Sequence, residues 1–275
     1  MLESPVVLVT GASSGIGEKT ALTLGAAGFR VVLAARRAER LEDLAAQIED
    51  GGGQALAVPL DLGKLDQIQN LVRTVQERFG GVDILVNNAG SARHLWLDQQ
   101  TLESDIQNQI QVNLIGMIQL TRAVLPEMRE AGQGQIIHIS SIASWIGIPT
   151  YSIYNACKFG GRGFMTSLRR ELKGTGVVVS EIFPGAVDTD FAVDPEVNWK
   201  TRTVTPGFAL VSAQDVANRV LRVIHRKTRT TAIPDFMWLA VVVEAHFPWI
   251  LSWLFSKYFY IEDGIRYSWR ERQQS

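Results

Sequence analysis

Tyr154 and Lys158 stand four positions apart in the run Tyr154-Asn155-Ala156-Cys157-Lys158, so a helix through them projects both side chains from one face. A free phenol titrates near ~10, too high for easy proton exchange at neutrality, and a neighbouring ammonium favours the phenolate. The pair is therefore a candidate acid/base, able to give a proton to a carbonyl oxygen or to take one from an alcohol. Tyr151 competes for the role, but four positions beyond it stands Asn155, without a charge. Ser140 and Ser141 follow the apolar run Ile136 to Ile139, where a hydroxyl is placed to hydrogen-bond the same oxygen or to satisfy the strand end. Cys157 reads as a small helix-packing side chain, since no base is arranged beside it.

A second group of residues suggests a redox partner for that acid/base. Thr10-Gly11-Ala12-Ser13-Ser14-Gly15-Ile16-Gly17 follows the apolar run Val6 to Val9 and opens a helical pattern. Glycines there let backbone amides approach a pyrophosphate at a helix N-terminus, where the dipole favours anions. An ordinary strand-to-helix turn is the plainer reading, but three glycines between a strand and a helix near the chain start favour a dinucleotide. Where an NAD enzyme places Asp or Glu against the ribose, this chain has Ala34-Ala35-Arg36-Arg37. Small Ala35 leaves room for a 2′-phosphate and Arg36 offers a charge-assisted fork, so NADP(H) is favoured over NAD(H). Arg37 either joins Arg36 or merely opens a solvated helix with Glu39, Arg40 and Glu42.

The elements that must position these groups follow from periodicity. Short apolar runs at Val6 to Val9, Val31 to Leu33, Ala55 to Val58, Ile84 to Val86, Ile136 to Ile139 and Val177 to Ile182 predict strands of a parallel sheet buried on both faces. Between them the pattern predicts helices at about Ile16 to Ala27, Arg37 to Asp50, Leu65 to Phe79, Leu102 to Glu130 and Tyr151 to Lys173. The fold class is α/β, a doubly wound Rossmann-type sheet. A chain of 275 residues, 46% hydrophobic, is expected to form one domain, about 1–231, followed by an aromatic-rich appendage, 232–275. With 27 basic against 28 acidic residues, no global field favours nucleic acid. One cysteine and four scattered histidines suggest neither a disulfide framework nor a metal site. The N-terminus leaves no room for a signal peptide before Val6, so the core is expected to stay in the cytoplasm.

The glycine turn, Asp61-Leu62, Asn87-Asn88-Ala89-Gly90, Asn113, Ser141, Tyr154-x-x-x-Lys158 and Pro184-Gly185 occur in an order and spacing that resembles the short-chain dehydrogenases/reductases, over roughly residues 5 to 190. The resemblance implies hydride transfer between NADP(H) and a carbonyl/alcohol pair, with Tyr154, Lys158, Ser141 and Asn113 catalytic. It selects Ser141 over Ser140 and implies that Asn113 holds a water linking Lys158 to solvent. The cofactor-binding set it implies is Gly11, Ser13, Ser14, Gly15, Ile16, Gly17, Arg36, Arg37, Asp61, Leu62, Asn88, Ala89, Gly90, Tyr154, Lys158, Pro184, Gly185, Val187 and Thr189. Asp61 would meet the adenine edge, and Val187 with Thr189 the carboxamide. An arginine at the Arg36 position is similar to NADP-preferring members. Such proteins are commonly homodimers or homotetramers through the helices that correspond to Leu102 to Glu130 and Tyr151 to Lys173.

Substrate choice is expected to lie in the loops. The segment 188–209, with Phe191, Trp199 and Phe208, corresponds to a mobile lid, and Trp145, Ile146, Ile148, His94 and Trp96 are candidate pocket walls, which suits an apolar small-molecule substrate. From Ala232 to Tyr260 the tail carries nine aromatics, but Asp235, Glu244, His246 and Lys257 interrupt its apolar runs well short of the ~18 residues of a spanning helix. Two readings of the tail stay open: a helix pair resting on a bilayer, or a subunit interface or pocket cover. For the site, reduction of a 3-oxoacyl thioester is an alternative, and so is a non-catalytic NADP(H) sensor. Asn113, Ser141, Tyr154 and Lys158 together argue against the sensor, because binding alone needs no acid/base.

Overall fold

The computed structural model describes residues 4–189, 191, 210–256, 259–262 and 265–268. All six expected strands form: β1 (Val6–Thr10), β2 (Arg30–Ala35), β3 (Gln54–Pro59), β4 (Ile84–Asn87), β5 (Gly134–Ile139) and β6 (Val177–Pro184). Alternation along them feeds two cores. Val7, Val9, Val31 and Leu33 pack on one face against α1 (Gly15–Ala26) and α2 (Ala38–Asp50). Val6, Leu8, Val32 and Ala34 pack on the other against α3 (Leu65–Phe79). Each such side chain, fully withdrawn from water, contributes roughly 1.5–3 kcal/mol, which makes the sheet a stiff platform.

The expected helix from Leu102 to Glu130 is helical throughout but not uniform. Leu102–Gln107 is a π-helical turn, α4 (Asn108–Ile110) follows, Gln111–Gly116 is again π-helical, and α5 (Met117–Glu130) completes it. A side chain at Gly116 would place its Cβ 2.5 Å from the Leu62 carbonyl oxygen, so the chain can press its wide turn against the loop after β3 only with glycine there. Wide turns of this kind re-aim side chains and concentrate at functional sites. After β5, α6 (Ser152–Glu171) carries the Tyr-Lys pair and packs with α3 and α5.

Beyond β6, the short strands β7 (Ala186–Val187) and β8 (Leu210–Val211) pair in parallel. Two core elements stand outside those expected from periodicity: α7 (Ala213–Arg226) and β9 (Thr230–Ile233). α7 lays Val216, Val220 and Val223 on the α1 side, and β9 is the seventh strand, so the sheet runs β3-β2-β1-β4-β5-β6-β9, all parallel. Because β9 extends to Ile233, a truncation after Thr231 would cut through it. The tail then forms α8 (Met237–His246), α9 (Pro248–Ser256) and an antiparallel hairpin of β10 (Phe259–Glu262) and β11 (Ile265–Ser268). Of the expected lid, Asp188, Thr189 and Phe191 are described with the start of β8. Pro195, Trp199, Pro206 and Phe208 lie outside the described residues, as do Lys257, Arg270 and Arg272.

The strand order reverses between β1 and β4, which opens a crevice at their carboxyl ends, the usual place for a ligand in a doubly wound sheet. The glycine turn and Asn87 to Gly90 lie at that crevice.

Candidate active site

Thr10 ties the two sides of the crevice together. Its buried hydroxyl donates to the Val86 carbonyl (3.2 Å) and accepts from the backbone N–H groups of Asn88 and Ala89, both at 3.0 Å. Asn88 answers by donating its amide to the Thr10 carbonyl at 2.8 Å. The sequence reading overlooked Thr10 as a site residue; a hydroxyl closing an otherwise aliphatic strand was the available signal. A Cβ at Gly17 would lie 2.1 Å from the Gly11 carbonyl oxygen, so the turn closes as it does only with glycine at that position. The result is a cradle at the N-terminus of α1, suited to a pyrophosphate. Thr189, beyond β7, comes over the same turn against Gly15, while Gly185 donates to the Ile233 carbonyl at 2.7 Å.

The two arginines after β2 have different surroundings. Arg37 Nε donates to Ser13 Oγ at 3.1 Å, and its terminal nitrogen donates to Ser13 Oγ (2.9 Å), the Ser13 carbonyl (3.1 Å) and Ser14 Oγ (2.7 Å). It is not merely the start of a solvated helix: it stands over the glycine turn with Ser13 and Ser14. Arg36 is exposed at the end of β2 beside buried Ala35. The Arg37 guanidinium with the Ser13 and Ser14 hydroxyls, next to the glycine turn, is a donor set whose chemistry fits a phosphate-bearing dinucleotide. Asp61 accepts from the Gly63 N–H at 2.9 Å and its own N–H donates to Gln67 Oε1 at 2.7 Å, which fixes the turn after β3. Leu62 is a core side chain.

Tyr154 and Lys158 are both buried on α6, with Lys158 Nζ 5.5 Å from the Tyr154 ring centroid and donating to the Ile139 carbonyl at 3.2 Å. Ser141 hydrogen-bonds the Tyr154 phenol, and its Oγ also accepts from the Ala143 N–H at 3.1 Å. Burial holds the phenol above its ordinary value, opposed by the Ser141 hydrogen bond, and burial pulls the Lys158 ammonium down to about 8. In the chain by itself, desolvation is the largest influence on the phenol. Burial also pushes the Cys157 thiol up to about 11, in keeping with a packing role.

Two asparagines set this geometry. Asn113, in the second π turn, donates to the Ser91 carbonyl at 2.7 Å and accepts from the Ser91 N–H at 2.9 Å. Its amide therefore clamps the loop following Gly90. A Cβ at Gly90 would meet Asn113 Oδ1 at 2.7 Å, which explains the glycine beside it. Asn155, dismissed in the sequence for lack of charge, donates to the carbonyls of Ala143 (2.6 Å) and Ile146 (2.8 Å) and accepts from the Ile148 N–H at 3.2 Å. It staples the loop that carries Ser141 to the helix that carries Tyr154.

Aromatic walls surround the phenol. Phe191 stands edge-on to Tyr154 at 5.9 Å, and Tyr151 lies 5.6 Å away. His94 packs on Tyr151 at 4.7 Å and hydrogen-bonds the hydroxyl of Thr150, 3.0 Å from Nδ1. Thr150 has φ 68, costly for a β-branched residue, and it is held there immediately before α6 begins. Trp145 and Ile146 pack with the tail helix α8, while Trp96 opens the short 3-10 turn Leu97–Gln99.

Behind Lys158, on β5, His138 is buried against Gly161 of α6, and neither ring nitrogen makes a well-formed hydrogen bond within the protein. Burial, aided by the Lys158 charge, lowers it to about 3. Between the ordinary histidine value near ~6.5 and about 3, the unfolded chain takes up a proton that the folded chain refuses, so stability falls as pH falls through that window. His138→Gln should flatten the decline of the unfolding free energy, read from urea melts, between pH 6.5 and 4, by on the order of 2 kcal/mol. An unchanged slope would contradict the assignment.

A family model described as short chain dehydrogenase matches residues 5–197. The chain belongs to the short-chain dehydrogenase/reductase family. It is 40% identical over 190 residues to a 3-oxoacyl-(acyl-carrier-protein) reductase of Synechocystis sp., covering 69% of this chain and 76% of that protein. Among solved structures, an actinorhodin polyketide ketoreductase variant with NADPH superposes with a TM-score of 0.78 at 31% identity, covering 86% of this chain and 98% of its own. A short-chain dehydrogenase from Sphingobium yanoikuyae in complex with NADPH gives 0.77 at 28% identity, over 90% and 95%. The chain is an oxidoreductase acting on a carbonyl/alcohol pair, and its cofactor is NADP(H).

Proposed function

We propose that the chain reduces the carbonyl of a hydrophobic small molecule, or oxidises the corresponding alcohol, with Tyr154 as the proton-exchanging group. NADP(H) supplies or accepts the hydride. Tyr154 donates its phenolic proton to the substrate oxygen, and Ser141 donates a hydrogen bond to the same oxygen as negative charge develops there. Lys158 supplies the nearby positive charge that stabilises the phenolate left behind. Arg36 and Arg37 hold the 2′-phosphate, the glycine cradle the pyrophosphate, and Asp61, Asn88, Ala89, Gly90, Gly185, Val187 and Thr189 the remaining length of the dinucleotide. The observation that carries the reading is the meeting of buried Tyr154 and Lys158 with half-buried Ser141 beside the crevice. Phe191, Tyr151 and His94 around it favour an apolar substrate.

Because the phenol stays protonated through the neutral range, the pH limit of reduction falls on Lys158. Reduction is expected to decline as pH rises through about 8, where Lys158 loses its charge, and a profile flat to pH 10 would remove Lys158 from the mechanism. Asn155→Ala breaks three hydrogen bonds and is expected to lower stability by about 2–3 kcal/mol. It should also cut kcat by at least about tenfold through displacement of Ser141, with NADPH affinity little changed.

Reduction of a 3-oxoacyl thioester is the second reading, favoured by the identity to the Synechocystis reductase. A panel of apolar ketones, aldehydes and 3-oxoacyl thioesters, each assayed with NADPH and NADH, separates the two. Selective turnover of ketones with NADPH supports the first reading, selective turnover of thioesters the second, and turnover of none removes both. Exposed Ile115 and Phe159, on the helical segments before α5 and within α6, support a homodimer or homotetramer through these helices.

A further inference from the structure

We infer that the α8–α9 pair is a docking surface for a lipid bilayer, lying in the interfacial layer of one leaflet. Apart from Glu244 and His246 in the last turn of α8 and two serines in α9, the two helices are built of apolar residues. Met237 to Val243 is an unbroken apolar run of nearly two turns, and α9, Pro-Trp-Ile-Leu-Ser-Trp-Leu-Phe-Ser, has no charged residue. Val241 is the one buried residue of the pair, while Leu239 is 68%, Trp249 67% and Trp253 59% exposed, with Val242, Phe247 and Leu254 beside them. Met237, Trp238, Ala240, Leu251 and Phe255 turn inward onto Ile142, Trp145 and Ile146, so each helix has one apolar face on the chain and a second, outward one that is also apolar, where a soluble surface helix shows a single apolar stripe.

The geometry favours lipid over a second copy of the chain. Among the described residues no single helix is long and apolar enough to cross a membrane; the pair has that combined length and composition but is bent by 108°. At 1.5 Å per residue each arm spans only about 15 Å, half of a ~30 Å hydrocarbon core, so the pair lies within one leaflet. Two of its polar side chains are turned back onto the helices: Ser256 Oγ donates to the Trp253 carbonyl at 2.7 Å, and His246 Nδ1 lies 3.0 Å from the Val242 carbonyl. Exposed tryptophans are the side chains that favour the headgroup boundary.

The pair is also joined to the active-site loop. Trp238 of α8 packs on Trp145 at 5.6 Å and on Phe183 at 5.7 Å, and Trp145 lies between Ser141 and Tyr154 in the chain. If the reading of the site as a reductase of hydrophobic carbonyls holds, docking places its apolar wall where such substrates dissolve; the docking itself does not depend on that reading.

The test is cosedimentation of the full chain with sucrose-loaded phosphatidylcholine vesicles, beside the variant Leu239→Ser/Trp249→Ser/Trp253→Ser. Thermal midpoint and light scattering report folding and oligomeric state independently of any substrate. The expected result is that the parent chain pellets with neutral vesicles and that the variant's partition coefficient falls at least about tenfold, the loss of three large interfacial side chains, with midpoint and oligomeric state unchanged. A parent chain that stays in the supernatant overturns the proposal, as does a variant that pellets equally well. A variant that falls to a smaller oligomer also overturns it, by assigning the surface to a second copy. If the triple variant unfolds, Trp249→Ser alone decides in the same way.

Discussion

Tyr154→Phe is expected to lower kcat by about a thousandfold while leaving NADPH affinity within about threefold of the parent chain, since a positioned general acid accounts for roughly 10²–10⁴ of rate. The ring keeps its contacts with Phe191 and Tyr151, so the fold has no reason to change. Only the hydroxyl that meets Ser141 is removed. Steady-state turnover with fluorescence titration of NADPH checks both halves. A variant retaining a tenth of the parent rate would mean that another group, with Tyr151 the nearest phenol, carries the proton.

Gly17→Ala is expected to weaken NADPH binding by about 10- to 100-fold and to destabilise the chain by roughly 1–3 kcal/mol, as overpacking does. Gly17 lies inside α1, where intrinsic helix propensity alone gives the opposite sign, about 1 kcal/mol in favour of alanine. The difference comes from close approach: the new methyl would sit 2.1 Å from the Gly11 carbonyl oxygen and 2.7 Å from Asn88 Nδ2. Either the glycine turn or the loop after β4 must move, and both line the cradle. Isothermal titration with NADPH and a thermal melt test this together. A stabilised variant with unchanged affinity would show that the turn is looser than described.

Much of this arrangement is legible in residue order because it depends on local patterns. Alternating aliphatic runs such as Val6 to Val9 and Val31 to Leu33 specify strands buried on both faces, and the four-residue step from Tyr154 to Lys158 needs only a helix. α7 and β9 were equally available in principle. Ser212 forms a capping box with Asp215, and Val216, Val220, Val223 and Ile224 follow at helical spacing. Their signal is weak beside that of the aromatic-rich tail, whose composition changes sharply at 232.

What local pattern does not convey is contact across the fold. Arg37 and Ser13 are 24 positions apart, and only the pairing of β1 with β2 brings the guanidinium over the glycine turn. Asn155 and Asn113 act through backbone groups of distant loops, a role that residue type alone leaves open. The π turns around Asn113 arise because Gly116 lets the helix meet Leu62, a contact between segments 54 positions apart. The balance at the phenol has the same origin: spacing identifies the cation, but burial, a property of the whole core, sets the larger effect in the chain by itself.

The central claim is that this chain moves hydride between NADP(H) and a carbonyl carbon with Tyr154 exchanging the proton. The most direct measurement is mass analysis of the product formed from an apolar ketone and NADPH deuterated at C4, using either face label in turn, with Tyr154→Phe alongside. One label should appear on the carbinol carbon from one face only, and the variant should form product at about a thousandth of the rate. Unlabelled product from both cofactors, or equal rates from parent and variant, would contradict it.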